Sequence, residues 1–189
     1  MMDKIGIFFG TDTGTTRLIA KKMSKKLGDD IASKPLNVNR ITAEEMAQYD
    51  ALILGTPTYG FNQLPGASTG IKAGSWEEFL PQLRSVDFSG KRIALYGLGN
   101  QDKYPENFAD SMIHLYTFFQ EQGAEMIGFW DIDGYEFEHS QSVVNGQFVG
   151  LVLDQQAQAL LTEQRIDNWL SLVSPLLLEN LTDTSVAIT

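Results

Sequence analysis

The spacing of apolar positions alternates along the chain between short continuous runs and a helical stripe. Lys4–Gly10 is nearly all apolar and ends on glycine, which reads as a short buried strand. Helical spacing follows: Ile19, Met23 and Leu27 recur every fourth residue, and Lys21, Lys22, Lys25 and Lys26 fall outside that stripe on a solvated face. Ala51–Gly55 and Arg92–Gly97 are further strands, with a helical stretch, Trp76–Leu83, between them. Glu106–Gln122 carries Phe108, Met112, Leu115 and Phe119 at helical spacing, and Gly123 supplies a stop. Met126–Trp130 and Phe148–Leu153 read as strands on either side of a polar, glycine-containing stretch. A last helix is expected over Thr162–Leu178, with Ile166, Leu170 and Val173 inward and Pro175 inside its apolar run. Residues 179–189 read as a flexible tail. Ile31–Val38 fits a second strand at a sheet edge. Strands alternating with helices imply an α/β fold, a parallel sheet covered on both faces. With neither repeat nor linker, residues 1–178 read as a single domain.

Composition narrows the function classes. A net charge of −10 argues against nucleic acid, whose phosphates call for Lys and Arg. The charge is uneven: residues 1–40 carry eight Lys/Arg against four Asp/Glu, and the rest six against twenty. Such a dipole steers association with basic partners, although acidity also serves solubility. Without cysteine there are no disulfides and no thiolate chemistry. His114 and His139 are too few and too scattered for a histidine metal site. No apolar run is long enough to cross a bilayer, and Ile5-Gly6-Ile7-Phe8-Phe9 is too short for a secretory segment, so a cytoplasmic, membrane-free protein is expected.

Candidate chemistry sits where strands end. The first strand runs into Gly10-Thr11-Asp12-Thr13-Gly14-Thr15-Thr16 and then directly into a helix. Ligands of α/β sheets bind at the carboxyl ends of strands, and a helix N-terminus there favours anions. Gly14 permits a tight turn, and Thr11, Thr13, Thr15 and Thr16 add hydroxyl donors. The spacing matches neither the dinucleotide nor the triphosphatase glycine motif. The loop itself holds no Lys or Arg, which suits a small phosphomonoester that is bound and kept. Two later strands end in Gly55-Thr56-Pro57-Thr58-Tyr59-Gly60 and Gly97-Leu98-Gly99-Asn100-Gln101-Asp102-Lys103-Tyr104. Each loop sets a tyrosine beside glycines, an arrangement able to sandwich a planar ring.

The T-x-T-G-x-T loop after the first strand resembles the phosphate signature of flavodoxins, and the resemblance runs from Lys4 to about Leu178. It implies a three-layer sandwich with a five-stranded parallel sheet in the order 2-1-3-4-5, and one bound flavin mononucleotide (FMN). It implies a low-potential, one-electron carrier working mainly between semiquinone and hydroquinone. The protein would be a monomer passing electrons from a reductase-type donor to a low-potential acceptor. The implied FMN contacts are Thr11, Asp12, Thr13, Gly14, Thr15, Thr16, Thr56, Pro57, Thr58, Tyr59, Gly60, Leu98, Gly99, Asn100, Tyr104, Asn107 and Asp154. Tyr104 would lie flat on one ring face and Tyr59 on the other. Asn100 stands where relatives usually carry aspartate, and Lys103 where they commonly carry glycine. One unit charge at ~8 Å and an effective dielectric of about 20 is worth roughly 2 kcal/mol, or about 90 mV, so both changes should raise the lower potential. The Gly60–Phe61 peptide stands where relatives turn a carbonyl toward the ring on one-electron reduction, and glycine tolerates both orientations.

Asp131-Ile132-Asp133-Gly134-Tyr135-Glu136-Phe137, followed by Phe148-Val149-Gly150-Leu151, resembles the long-chain flavodoxins, in which about twenty residues interrupt the last strand. That segment reads as a structural flap. Asn62–Ser75, with Leu36-Asn37-Val38-Asn39-Arg40 and Ser75-Trp76-Glu77-Glu78-Phe79-Leu80-Pro81, resembles flavodoxins that donate electrons to nitrogenase. The nitrogenase iron protein is therefore an expected acceptor. A quinone-reductase-type enzyme on this fold would need proton-handling groups over the flavin, and no His, Lys or Cys is convincingly placed for that. A receiver-type signalling module would need an acidic cluster after the first strand, which here offers Asp12 alone.

Overall fold

The computed structural model describes residues 2–11 and 14–186. Strands β1 (Gly6–Phe9), β2 (Leu36–Asn37), β3 (Ala51–Pro57), β4 (Arg92–Leu98) and β5 (Glu125–Ile127) form a parallel sheet in the order β2-β1-β3-β4-β5, as expected. Helices α1 (Thr15–Leu27), α2 (Ala43–Ala47), α3 (Trp76–Phe79), α4 (Met112–Glu121) and α5 (Thr162–Val186) cover it. The central strands are apolar throughout because both faces are buried, yet their residues still divide by parity. Ile7, Ile53, Ala94 and Tyr96 pack with Ile19 and Met23 of α1 and Ile166, Trp169 and Val173 of α5. Phe8, Leu52, Leu54, Ile93 and Leu95 pack with Met46 of α2, Trp76 and Phe79 of α3, and Met112, Leu115 and Phe119 of α4. Three layers result, with one hydrophobic core on each side of the sheet.

The fifth sheet position is shared by two segments. β5 pairs with Arg92–Ala94 at the start of β4, and β9 (Leu151–Leu153) pairs with Tyr96–Leu98 at its end. The chain between them makes the expected excursion and folds into its own antiparallel sheet of β6 (Trp130–Asp131), β7 (Val143–Val144) and β8 (Gln147–Phe148). Tyr135 pins this flap to the domain. Its hydroxyl accepts from Trp130 Nε1 at 3.0 Å and donates to the Val152 carbonyl at 2.5 Å. The Arg165 guanidinium lies 3.9 Å from the ring centroid. Burial pushes that hydroxyl up to about 12.

Four elements differ from the sequence expectation. The edge strand shrinks from Ile31–Val38 to Leu36–Asn37, because Pro35 interrupts it without an N–H to donate. Helix α2 was not expected, although Thr42 and Glu45 form a reciprocal capping box at its start, each bonded to the other's backbone. Helix α4 begins at Met112 instead of Glu106. Residues 105–110 turn toward the flap: the Pro105 carbonyl accepts from Glu138 and His139, Phe108 N donates to the His139 carbonyl, and Ala109 takes a φ of 52°. Helix α5 passes Pro175 and the expected end at Leu178 to reach Val186. Arg92 bonds the Leu176 carbonyl and Glu179, and Asn180 Nδ2 donates to the Asp50 carbonyl, so the first turn beyond Leu178 is held against the sheet.

The stretch Asn62–Ser75 is ordered by two carboxylates from α3. Glu78 accepts from the amides of Ala67 and Ser75, and Glu77 accepts from Ser68. Burial opposes ionisation of Glu78, but these amides outweigh it and hold its carboxyl below the usual range.

Candidate functional site

The loops after β1, β3 and β4 and the turn after β9 meet at the carboxyl edge of the sheet. Gly14 caps α1 at a φ of 88°, a left-handed geometry that suits glycine, and its N–H donates to Thr11 Oγ1 at 3.1 Å. No side chain caps the first turn of α1 among the described residues, which leaves its amides to meet an anion. Thr16 is wholly buried, and its Oγ1 finds no hydrogen-bond partner among the described residues. Its carbonyl accepts from the buried Tyr96 hydroxyl at 2.8 Å, which fixes the start of α1 on the sheet. Burial holds that phenol protonated far above its ordinary range. Asp12 and Thr13 lie outside the described residues.

A cleft of about 180 Å³ adjoins this turn. One wall is Pro57 and Thr58 after β3; the other is Leu98, Gly99, Asn100 and Tyr104 after β4. Thr15 reaches it from α1, and Asn107 and Ala109 from the turn before α4. The structure thus brings together most of the residues singled out in the sequence. Four predicted contacts stand differently. Thr56 is buried, with its hydroxyl donating to the Pro57 carbonyl at 2.9 Å. Tyr59 is half-buried and sits on a turn closed by paired bonds with Gln63, at 3.0 and 2.8 Å, outside the lining of the cleft; Gly60 follows it on that turn.

Asp154 is the fourth. It is 1% exposed; one carboxylate oxygen accepts from Gln101 N at 2.9 Å, the other from Gln156 and Ala157 at 3.0 and 2.9 Å. It braces two loops, while its neighbours Gln155 and Gln156 line the cleft. Sequence reasoning did not select Gln155, and nothing in its polarity marks it. Sequence reasoning also missed Arg17 and Arg40. They line a second hollow, about 490 Å³, which Thr11 and Gly14 border as well. Positive charge therefore stands beside the loop, though not within it.

Among the described residues, no group of His, Cys, Asp or Glu could hold a metal ion, and no helix is long and apolar enough to cross a membrane. What the site offers is an anion-ready helix end with a spare hydroxyl, next to a slot with an aromatic wall.

The sequence matches the flavodoxin family over residues 7–169. A flavodoxin of Klebsiella pneumoniae is 48% identical over 169 residues, covering 89% of this chain and 96% of the relative. One from Synechocystis sp. is 39% identical, covering 93% of this chain and 99% of the relative. The crystal structure of Fusobacterium nucleatum flavodoxin bound to flavin mononucleotide superposes with a TM-score of 0.82 at 34% identity, over 92% of this chain and 98% of that one. Matches of this extent and identity, on the fold and loops just described, establish that the chain belongs to the flavodoxin family.

Proposed function

We propose that this flavodoxin binds one FMN at the junction of the three loops and carries single electrons between larger redox proteins. The observation that carries this reading is the Thr16 hydroxyl, buried without a partner among the described residues at an uncapped helix start. A phosphate there gives that hydroxyl an acceptor and takes bonds from the first-turn amides. The cleft beside it accepts the ring. Tyr104 forms the outer wall, and the main chain of Leu98, Gly99 and Asn100 meets its polar edge. Bound FMN supplies a ring that takes up electrons one at a time. The protein's own part is to hold that ring and shape the charge around it. The working range is the lower of the two one-electron steps.

The domain, whose last helix runs on past Leu178, then acts as one unit in the cytoplasm, as a monomer. In the finer reading the acceptor is the nitrogenase iron protein. Support comes from the ordered stretch Asn62–Ser75, which the Glu77 and Glu78 carboxylates hold beside the β3 loop. The long-chain subgroup is proposed on the split fifth strand.

A visible spectrum of the purified protein through stepwise reduction tests the main reading. A yellow protein that turns blue and then pale is expected. Failure to take up FMN would sink the proposal, and steady NADH or NADPH oxidation would favour an enzyme. Thr16→Val probes the carrying observation. A hydrogen bond to a charged group is worth about 1.5–3 kcal/mol, so FMN affinity should fall at least about tenfold. Unfolding of the FMN-free variant should be unchanged, because the lost hydroxyl has no described protein partner.

A further inference from the structure

The turn after β3 is held from outside by the first turn of α4, and we propose that His114 is a positioning residue that sets the spacing between the two reduction midpoints of bound flavin. This rests on the FMN reading above. The turn is closed by the paired bonds between Tyr59 and Gln63, which leave Gly60, Phe61 and Asn62 at its tip. Gly60 has a φ of 55°, and Phe61 is 72% exposed. Such a tip has little of its own to hold it.

The restraint comes from α4, from the residue before it and, more weakly, from Gln141 of the flap, whose Oε1 accepts from Asn62 Nδ2 at 3.4 Å. Ser111 N donates to Thr58 Oγ1 at 3.2 Å, and Ser111 Oγ donates to the Gln63 carbonyl. His114 Nε2 lies 2.7 Å from the Asn62 carbonyl. A carbonyl only accepts, so this nitrogen carries the hydrogen. The helix end is itself immobilised. The buried Ser142 hydroxyl donates to the Ala109 carbonyl at 2.7 Å and accepts from Ile113 N at 3.1 Å. Gln141 N donates to Asp110 Oδ1 at 2.7 Å. His114 therefore ties an exposed, glycine-containing tip to a fixed post.

Adding an electron to a ring changes what its edge asks of neighbouring hydrogen-bonding groups. The glycine-hinged tip is the part of the β3 loop free to answer, and any reorientation there must keep or break the bond to His114. Because that bond exists in the turn described here, it favours this arrangement over alternatives. On this proposal the described turn is the one that receives oxidised flavin. Removing the donor then weakens oxidised binding more than one-electron-reduced binding, and the first midpoint rises by the same factor. The second step, taken after the turn has adjusted, stays in place.

The test compares His114→Ala with His114→Gln, which restores an N–H donor, by FMN titration and spectroelectrochemistry. His114 is exposed, so neither change strips the core. Loss of one hydrogen bond should weaken oxidised FMN binding about three- to tenfold in the alanine variant. The first midpoint should rise by about 30–60 mV, at about 59 mV per tenfold for one electron, with the second unmoved. The glutamine variant should recover most of both changes. An alanine variant whose first midpoint is unchanged or lower, or whose two midpoints shift together, overturns the proposal. So does a glutamine variant no better than alanine. If alanine fails to fold, glutamine decides: wild-type midpoints support the proposal and shifted ones overturn it. A wild-type chain that takes up no FMN defeats the carrier reading and this one together. A wild-type chain that titrates in two steps beside an indistinguishable alanine variant defeats this one alone.

Discussion

The two loops that form the walls of the cleft are held by opposite means. The loop after β4 is braced from inside. Gly99 N donates to the Leu153 carbonyl at 3.1 Å, Gln101 N to the buried Asp154 carboxylate, and the Gln101 side chain accepts from Glu136 of the flap at 2.8 Å. Asn100 closes the rest, its backbone carbonyl accepting from Tyr104 N and its side chain from Lys103 N. The loop after β3 is held from outside, by the side chains of Ser111 and His114 reaching its backbone carbonyls and by its own paired turn. Bonds to a buried carboxylate are strong and slow to exchange, whereas those near the surface compete with water. One wall is thus a fixed reference for the ring, and the other can adjust. That division suits a carrier, which must keep its cofactor in place while the cofactor's own hydrogen-bonding demand changes.

Removing the internal brace should produce the largest effect. Asp154→Ala takes the acceptor from three backbone N–H groups. The one on Gln101 is buried, and its loss costs about 1–3 kcal/mol, whereas Gln156 and Ala157 are exposed and their amides turn to water at a smaller cost. We expect about 2 kcal/mol of lost stability in urea unfolding of the FMN-free chain. FMN affinity should fall as well, since Gln101 and Gln156 shift together. A variant as stable as the wild type would show that the β4 wall owes its rigidity to something else, and the contrast between the walls would weaken.

This contrast marks the limit of what the sequence reveals. The strands β3 and β4 and their loop residues could be located because apolar runs ending in glycine are local signals. Sheet order and the split fifth strand followed from the resemblance. Missing was whatever depends on long-range bonding. Phe108 has the right spacing for a helix and is fully buried, yet its backbone bonds to His139 of the flap. Asp154 stands among the expected contacts through the resemblance, but its lone pairs are spent on amides brought in by folding. Glu179 and Asn180 read as tail residues until Arg92 and the Asp50 carbonyl are found opposite them. The capping box at Thr42 and Glu45 is the exception: a local signal that was present and overlooked.

If the β4 wall does not move, a charge placed on it acts on the ring at nearly constant distance. Asn100→Asp with Lys103→Gly exchanges a neutral group and a cation for an anion and a neutral group. The resemblance to flavodoxins implies an anionic reduced ring, so the lower midpoint should fall, by up to about 90 mV for each charge at ~8 Å and a dielectric of about 20. The ammonium of Lys103 sits 5.2 Å from the Tyr104 ring centroid, on an exposed side chain, so its share is the more heavily screened. We expect a combined fall below 90 mV, measured on both couples. A lower midpoint that stays or rises would contradict it, and an equal shift of the first midpoint would mean that the wall had moved.

The adjustable wall yields the smallest effect, at Gly60. Reversing the Gly60–Phe61 peptide changes ψ of Gly60 by about 180° while leaving its φ of 55° largely unchanged. At positive φ an L residue tolerates only the small left-handed island, so alanine accepts one orientation of that peptide where glycine accepts both. A Cβ would also meet Gln63 Oε1 at 2.8 Å, a contact relieved by a swing of that exposed side chain. Holding a non-glycine residue outside its allowed regions costs about 1–3 kcal/mol, and an exposed tip relaxes toward the low end. Gly60→Ala should therefore lower the first midpoint by about 40 mV, equivalent to about 1 kcal/mol for one electron. The direction is opposite to that of His114→Ala, because alanine blocks the alternative orientation while loss of the imidazole releases it. A spectroelectrochemical titration giving both variants the same sign would show that the β3 wall does not change its turn with the first electron. The two walls would then differ in how they are held, but not in what they do.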